Sequence, residues 1–164
     1  EHMASQSQSL YTPEERLRRD RSKWTLVQGI LAPVQFLVFL ISLYLVLRFL
    51  FTGEGEFAAN ASVVIKTFFL YAIMITGSIW EKEVFGRYLF APAFYWEDVF
   101  SMLVLFLHTA YLFALGFGFL EIRQLMALAL AAYLAYVINA AQFLWKLRQA
   151  RLQEPKQSPG GVTA

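Results

Sequence analysis

Long apolar stretches alternate with shorter polar segments along this chain. Four of the apolar stretches are long enough to cross a bilayer, since a transmembrane helix needs about 20 predominantly apolar residues. They cover approximately residues 24–51, 61–80, 99–119 and 125–145. The pattern predicts an all-α, polytopic integral membrane protein built as a bundle of four transmembrane helices.

The segments around this bundle differ in composition. Residues 1–3, Glu-His-Met, are typical of a cloning scar, and residues 4–23 form a polar, basic N-terminal segment. Within it, Thr-Pro-Glu-Glu at 12–15 predicts an N-cap followed by a short surface helix. We expect the transmembrane domain to span residues 24–152, and the tail at 153–164, which is rich in Pro, Gly and Ser, to be disordered.

The amino-acid composition supports a lipid environment. Of the 164 residues, 58% are hydrophobic and 16% are charged, whereas an ordinary soluble domain is roughly 45–50% apolar and about 25% charged. The formal net charge of +2 is too small to indicate a nucleic-acid partner. The absence of cysteine from the sequence excludes disulfides, thiolate zinc sites and iron–sulfur clusters.

The basic residues are distributed unevenly between the two sides of the predicted bundle. Eleven of the 14 Lys and Arg residues fall in the N-terminal segment, in the connection between the second and third helices, or in the C-terminal segment. By the positive-inside rule, both termini therefore face the cytoplasm. The four tryptophans lie at the same face, where indole rings favour the membrane interface. We expect Arg48 and Lys66 to extend to the opposite surface.

Each predicted helix carries polar residues on one face. The clearest stripes are Glu97, Ser101, His108 and Tyr111 on the third helix, and Asn139 and Gln142 on the fourth. Most of the polar groups fall in the cytoplasmic half of the membrane, which predicts a polar bundle interior that opens to the cytoplasm. A simpler interpretation is that such side chains only hydrogen-bond neighbouring helices.

The connection between the second and third helices, residues 78–98, is unusually aromatic and acidic for a loop. We expect it to fold back onto the bilayer or over the mouth of the bundle. Glu81 ends the second helix, and Glu97 and Asp98 begin the third, which places three carboxyl groups at one level. Crowding carboxyl groups beside apolar rings favours their protonated form, so the cluster predicts a general acid. Alternatively, Glu97 and Asp98 only complement the helix N-terminus.

His108 is the one histidine beyond the first three residues. It lies on the same helical face as Glu97, roughly 16 Å further along the helix. An intramembrane histidine is often a buried hydrogen-bond partner, but a neutral imidazole is also the usual axial ligand of a metal at the centre of a tetrapyrrole. The sequence leaves both interpretations open.

Four segments carry a family resemblance: WTLVQGILAPVQFLVFL at 24–40, GSIWEKEVFGRYLFAPAFYWEDVFSML at 77–103, HTAYL at 108–112 and NAAQFLWKLRQARL at 139–152. Together they resemble the 3-vinyl bacteriochlorophyllide hydratases, small integral membrane enzymes of bacteriochlorophyll biosynthesis. The resemblance covers residues 10–152. It implies that water is added across the C3 vinyl group of chlorophyllide or bacteriochlorophyllide to give a 3-(1-hydroxyethyl) group. It supplies no catalytic residues.

Such a reaction needs an acid to protonate the vinyl group and a base to position water. We predict Glu97 as one of these groups, with Asp98 or Glu81 as its partner. The residues expected to bind substrate are His108, Trp80, Arg87, Phe94, Tyr95, Trp96, Ser101, Asn139 and Gln142. Aromatic rings would cover the macrocycle, Arg87 would pair with its propionate carboxylate, and His108 is a candidate axial ligand of its magnesium.

No cofactor is expected, because the magnesium belongs to the tetrapyrrole substrate. The expected location is the bacterial inner, intracytoplasmic membrane. A homo-oligomer or contact with other enzymes of the pigment pathway stays open, since four helices barely enclose a tetrapyrrole. Two other functions also fit the sequence. One is a pigment carrier or assembly factor, and the other is a proton-coupled transporter, which normally has a carboxylate nearer the membrane midplane.

Overall fold

The computed structural model describes residues 9–153. The predicted cloning scar and, except for its first residue, the predicted disordered tail lie outside the described residues. The helices in chain order are α1 (Pro13–Arg21), α2 (Lys23–Thr52), α3 (Glu56–Phe85), α4 (Tyr95–Phe117) and α5 (Ile122–Gln153), with a short 3₁₀ turn (Pro92–Phe94) directly before α4.

Helices α2 to α5 are each long and apolar enough to cross a membrane. The prediction of an all-helical chain with four such helices is therefore confirmed. Helix α3 begins at Glu56 and ends at Phe85, and α5 continues to Gln153, so both extend well beyond the apolar stretches. Polar flanking residues continue the backbone hydrogen bonding of a helix, and hydropathy alone does not detect them.

Local sequence signals set most of the helix ends. The backbone N–H of Glu15 donates to Thr12 Oγ1 at 3.1 Å, and the N–H of Thr12 donates to Glu15 Oε1 at 2.9 Å. This capping box starts α1 where the sequence predicts a helix. Helices α2, α3 and α4 are followed by Gly53, Gly86 and Gly118, with φ of 76°, 86° and 69°. Glycine adopts this left-handed conformation without a steric cost.

Two antiparallel hairpins, α2–α3 and α4–α5, pack around a common apolar core. Buried core residues from the four helices include Phe39, Leu70, Val104, Met126 and Tyr133. Large apolar side chains also cover the outer faces of the helices, among them Leu26, Phe51, Phe68, Phe106 and Leu134. An apolar exterior of this extent suits contact with lipid.

The beginning and end of the described chain meet at one end of the bundle, which we call the terminal end. Tyr11, Val84 and Ala150 form a small buried cluster there, and the N–H of Leu10 donates to Gln153 Oε1 at 3.0 Å. Because Val84 lies in the last turn of α3, the connection from α3 to α4 is at the terminal end too. The α2–α3 and α4–α5 turns lie at the opposite end, the turn end.

The prediction that Lys66 extends to the surface is wrong. Lys66 has no exposed surface, and its Nζ lies 3.1 Å from His108 Nε2. Since α3 begins at Glu56, Lys66 is roughly 15 Å from the start of its helix, and its side chain is directed into the bundle. Arg48, by contrast, is exposed and lies beside Gly55 at the turn end.

Candidate active site

Three buried carboxyl groups meet at the terminal end of the bundle. Glu81 comes from the last turns of α3, and Glu97 and Asp98 come from the first turn of α4. Their side chains are buried, with relative exposures of 4%, 7% and 5%. The expectation that the α3–α4 connection brings the three groups to one level agrees with this arrangement.

Glu81 and Asp98 form a carboxyl pair that holds the connecting segment. Glu81 Oε2 accepts a hydrogen bond from the N–H of Ala91 at 2.8 Å, and Asp98 Oδ2 accepts one from the N–H of Phe90 at 2.9 Å. The two carboxyl groups lie near enough to interact directly. Two buried carboxyl groups at close range repel each other when both are ionised, so such a pair can share one proton.

The segment held by this pair contains an uncommon backbone conformation. Phe90 has φ of +62°, in the left-handed region that bulky residues rarely adopt. Its N–H is the one bound by Asp98, and its ring packs on Tyr95 at 5.7 Å between centroids. The bonds to the carboxyl pair hold the segment in this conformation.

Glu97 has a different partner, the ammonium group of Lys146 on α5. Lys146 Nζ lies 3.2 Å from Glu97 Oε1, and it also donates to the backbone carbonyl of Ala93. The sequence assigns Lys146 to the basic C-terminal segment and places it after Asn139 and Gln142 on the polar stripe of its helix, but it does not predict the ion pair with Glu97.

A buried hydrogen-bond network joins α4 to α5 beside this ion pair. Ser101 Oγ donates to Asn139 Oδ1 at 2.9 Å. The Asn139 amide donates to the carbonyl of Glu97 and to Gln142 Oε1, both at 3.1 Å. The structure thus brings Ser101, Asn139 and Gln142 together with Glu97, as the polar stripes of their helices predict.

The predicted aromatic residues divide into an inner and an outer group. Phe94 is only 1% exposed and packs on Trp80 and Phe143 with centroid distances of 5.8 and 5.6 Å. Trp96 is 70% exposed and Tyr95 43% exposed at the same end of the bundle. The inner rings therefore shape the apolar surroundings of the carboxyl groups, while the outer rings form an accessible aromatic surface.

Two further predicted residues lie outside the buried cluster. Arg87 is exposed in the α3–α4 connection, near enough to Glu81 to act on it electrostatically. His108 has no exposed surface, and its Nδ1 donates to the carbonyl of Val104 at 2.8 Å while its Nε2 faces Lys66. His108 thus belongs to a separate polar cluster deeper in the bundle, and the structure does not bring it to the carboxyl groups.

The geometry is suited to proton transfer at a water-poor site. A pair of neighbouring carboxyl groups and a carboxylate that faces an ammonium group lie side by side among apolar rings. General acid–base chemistry needs groups of this kind, one able to give a proton and one able to accept it.

Comparisons with known proteins place the chain among hydratases. The family profile for 2-vinyl bacteriochlorophyllide hydratase matches residues 11–149. The 2-vinyl bacteriochlorophyllide hydratase of Rhodobacter capsulatus is 66% identical over 152 residues, which cover 93% of this chain and 88% of that protein. The protein of the same name from Cereibacter sphaeroides is 68% identical over 149 residues, 91% of this chain and 92% of that protein. No solved structure matches. The chain belongs to the 2-vinyl bacteriochlorophyllide hydratase family.

Proposed function

We propose that this chain is a membrane-bound hydratase of bacteriochlorophyll biosynthesis that adds water across the vinyl group of chlorophyllide or bacteriochlorophyllide. The family name numbers this substituent 2, and the current tetrapyrrole numbering makes it C3. The observation that carries the proposal is the match of residues 11–149 to the family, with about two-thirds identity to two hydratases. The product carries a 3-(1-hydroxyethyl) group.

The position of the new hydroxyl group suggests the order of steps. A proton adds to the terminal vinyl carbon, and the positive charge on the inner carbon is shared with the π-system of the macrocycle. Water then attacks the inner carbon and loses a proton to a base. The chemistry requires one acid, one base and protection from bulk water.

Glu97, Asp98 and Glu81 are our candidates for the acid and the base. Their burial and mutual proximity at the terminal end support this proposal. A low-dielectric environment makes proton transfer and charge stabilisation by fixed groups more effective than in water.

The remaining predicted residues would bind the substrate. Tyr95 and Trp96 offer exposed aromatic surface for a planar macrocycle, and Trp80 and Phe94 would complete the apolar surroundings of the reacting groups. Arg87 is exposed, so it is available to the propionate carboxylate. Ser101, Asn139 and Gln142 would orient polar groups near the carboxyl cluster.

We propose no cofactor beyond the magnesium that the substrate brings. His108 is the candidate axial ligand of this magnesium. For this role, Nε2 of His108 must give up its contact with the amine of Lys66. Pigment titration of the His108→Phe variant tests it. A changed absorption spectrum or lower affinity supports ligation, whereas an unchanged spectrum and affinity contradict it.

We further propose that the chain lies in the bacterial inner, intracytoplasmic membrane with its terminal end in the cytoplasm. The basic residues near that end support this orientation. Because the sequence has no cysteine, a single cysteine introduced at exposed Glu54 or Arg148 shows directly which side of the membrane that position faces. In intact spheroplasts, an impermeant maleimide is expected to label Glu54→Cys, and to label Arg148→Cys only after lysis.

Membranes that contain the full chain and the vinyl substrate test the activity. The wild type is expected to increase the pigment mass by one water, which a carrier would not do. Glu97→Gln and Glu81→Gln are expected to lower the rate at least about 100-fold, while Glu54→Gln at the exposed turn end serves as the control. Near wild-type rates in both site variants would rule out the carboxyl mechanism.

A further inference from the structure

We propose that the three carboxyl groups have separate roles, an inference that rests on the proposed function. The Glu81–Asp98 pair gives the proton to the terminal vinyl carbon. Glu97 accepts the proton of the attacking water. Lys146 is a positioning residue that holds the Glu97 carboxyl group in place through an ion pair.

The proton donor follows from the contacts of the carboxyl pair. Glu81 Oε2 and Asp98 Oδ2 are each occupied by a backbone N–H, from Ala91 and Phe90 respectively. These two donors are consecutive residues, so they hold the carboxyl groups against each other. Two buried carboxylates held close together repel strongly unless they share a proton. The pair therefore holds one proton, and it is the part of the cluster able to release one.

The proton acceptor follows from the ion pair on the other side of the cluster. Lys146 Nζ lies 3.2 Å from Glu97 Oε1, and an ammonium group only donates hydrogen bonds. A carboxylate in an ion pair accepts hydrogen bonds and has no hydrogen to donate. The other oxygen, Oε2, takes no part in this ion pair and is the candidate atom to accept a proton from water.

Lys146 is fixed at several points. Its Nζ also donates to the carbonyl of Ala93 and lies 5.7 Å from the ring centroid of Phe94. It thus ties α5 to the 3₁₀ turn that leads into α4 and to Glu97 on α4 itself. Replacing this ammonium group by an apolar end would release the Glu97 carboxyl group from its position.

The reaction then balances without an external reagent. The vinyl π-electrons form a C–H bond with the proton of the Glu81–Asp98 pair, which leaves a cation on the inner carbon. The water oxygen forms the C–O bond, and one water proton moves to Glu97. The pair has lost one proton and Glu97 has gained one, and return of that proton through solvent restores the starting state.

Deuterium exchange separates the two roles. If protonation of the vinyl group is reversible, substrate incubated in D₂O gains deuterium at the terminal vinyl carbon even when water does not add. Glu97→Gln is expected to lose hydration at least about 100-fold but to keep this exchange. Glu81→Gln and Asp98→Asn are expected to lose both. Loss of exchange in Glu97→Gln, or exchange that persists in both pair variants, overturns the assignment.

Lys146 is tested with Lys146→Met, Lys146→Arg and the exposed neighbour variant Arg148→Met as control. We expect Lys146→Met to lower kcat at least about 10-fold with little change in KM and with exchange retained, and Lys146→Arg to recover most of the rate. A raised KM at unchanged kcat, or no effect, overturns the positioning role. Absence of water addition by the wild type would instead overturn the proposed function, so the two failures are distinguishable.

Discussion

The amine of Lys66 lies 3.1 Å from Nε2 of His108 in the interior of the bundle, and neither side chain has exposed surface. Because His108 Nδ1 donates to the carbonyl of Val104, Nε2 is left to accept from the amine. The same amine lies 3.9 Å from the ring centroid of Tyr136 and 5.2 Å from that of Tyr133. Lys66 is thus stabilised by a nitrogen acceptor and aromatic faces.

This pair predicts strong coupling between two substitutions. Lys66→Met or His108→Phe alone leaves a buried polar group without its partner, at an expected cost of about 1–3 kcal/mol. Replacing both residues removes the unpaired group, so the double variant is expected to lose less than the sum of the single losses. Thermal unfolding in detergent micelles measures all three. Additive losses would show that the two side chains act independently.

The sequence predicted the number and kind of helices well, but not which way Lys66 faces. Apolar length alone identifies a helix that is able to cross a membrane, because the backbone hydrogen bonds of such a helix form within the helix itself. The rotation of a helix about its axis depends on packing against its neighbours. The residues around Lys66 include apolar Ile65 and polar Thr67, so hydropathy does not settle the direction of its side chain.

The end of α4 predicts opposite effects for two nearby glycines. Gly118 has φ of +69°, whereas Gly116 lies within α4, and an added Cβ meets nothing within 4 Å at either position. Gly118→Ala is therefore expected to destabilise the chain by about 1 kcal/mol through backbone strain alone. Gly116→Ala is expected to stabilise it by about 0.5–1 kcal/mol. Unfolding temperatures that change in the same direction would contradict the assigned helix end.

Asn139 on α5 is expected to be sensitive to substitution. Its amide bonds Ser101, the carbonyl of Glu97 and Gln142, so Asn139→Leu leaves several buried groups unpaired. We expect a loss of about 2 kcal/mol in stability and a slower hydration rate, because Glu97 loses its support. Ile138→Leu, at an exposed position, is the matched control. Equal unfolding temperatures and rates for both variants would contradict a supporting role of Asn139.

The sequence predicts that the three carboxyl groups of the candidate site lie at the same end of the bundle, but it does not predict the residues that bind each of them. Helix ends placed Glu81, Glu97 and Asp98 together, since the α3–α4 connection returns the chain to the same surface. The partners of these groups depend on contacts between distant segments. Lys146 is separated from Glu97 by 49 residues, and the bond from Phe90 to Asp98 depends on a positive φ that nothing in the sequence specifies.

Gln35 provides a test of how the bundle tolerates an unpaired polar atom. Within residues 9–153, its Oε1 is buried without a hydrogen-bond partner, whereas Gln28 on the same helix donates to Thr76 Oγ1 at 2.6 Å. A buried unpaired acceptor costs roughly 1–3 kcal/mol, so Gln35→Met is expected to raise the unfolding temperature. Gln28→Met removes a formed bond and is expected to lower stability by about 0.6 kcal/mol.

Measuring the hydration rate of the same two variants extends this prediction. If Gln35 Oε1 is an unpaired buried atom with no role in the reaction, Gln35→Met keeps the wild-type hydration rate while its unfolding temperature rises. A lower unfolding temperature for Gln35→Met than for Gln28→Met would contradict the expected order, because it would mean that the Gln35 amide contributes more than the bonded Gln28 amide. The comparison is well matched, since both residues lie on α2 and both change to the same unbranched apolar side chain.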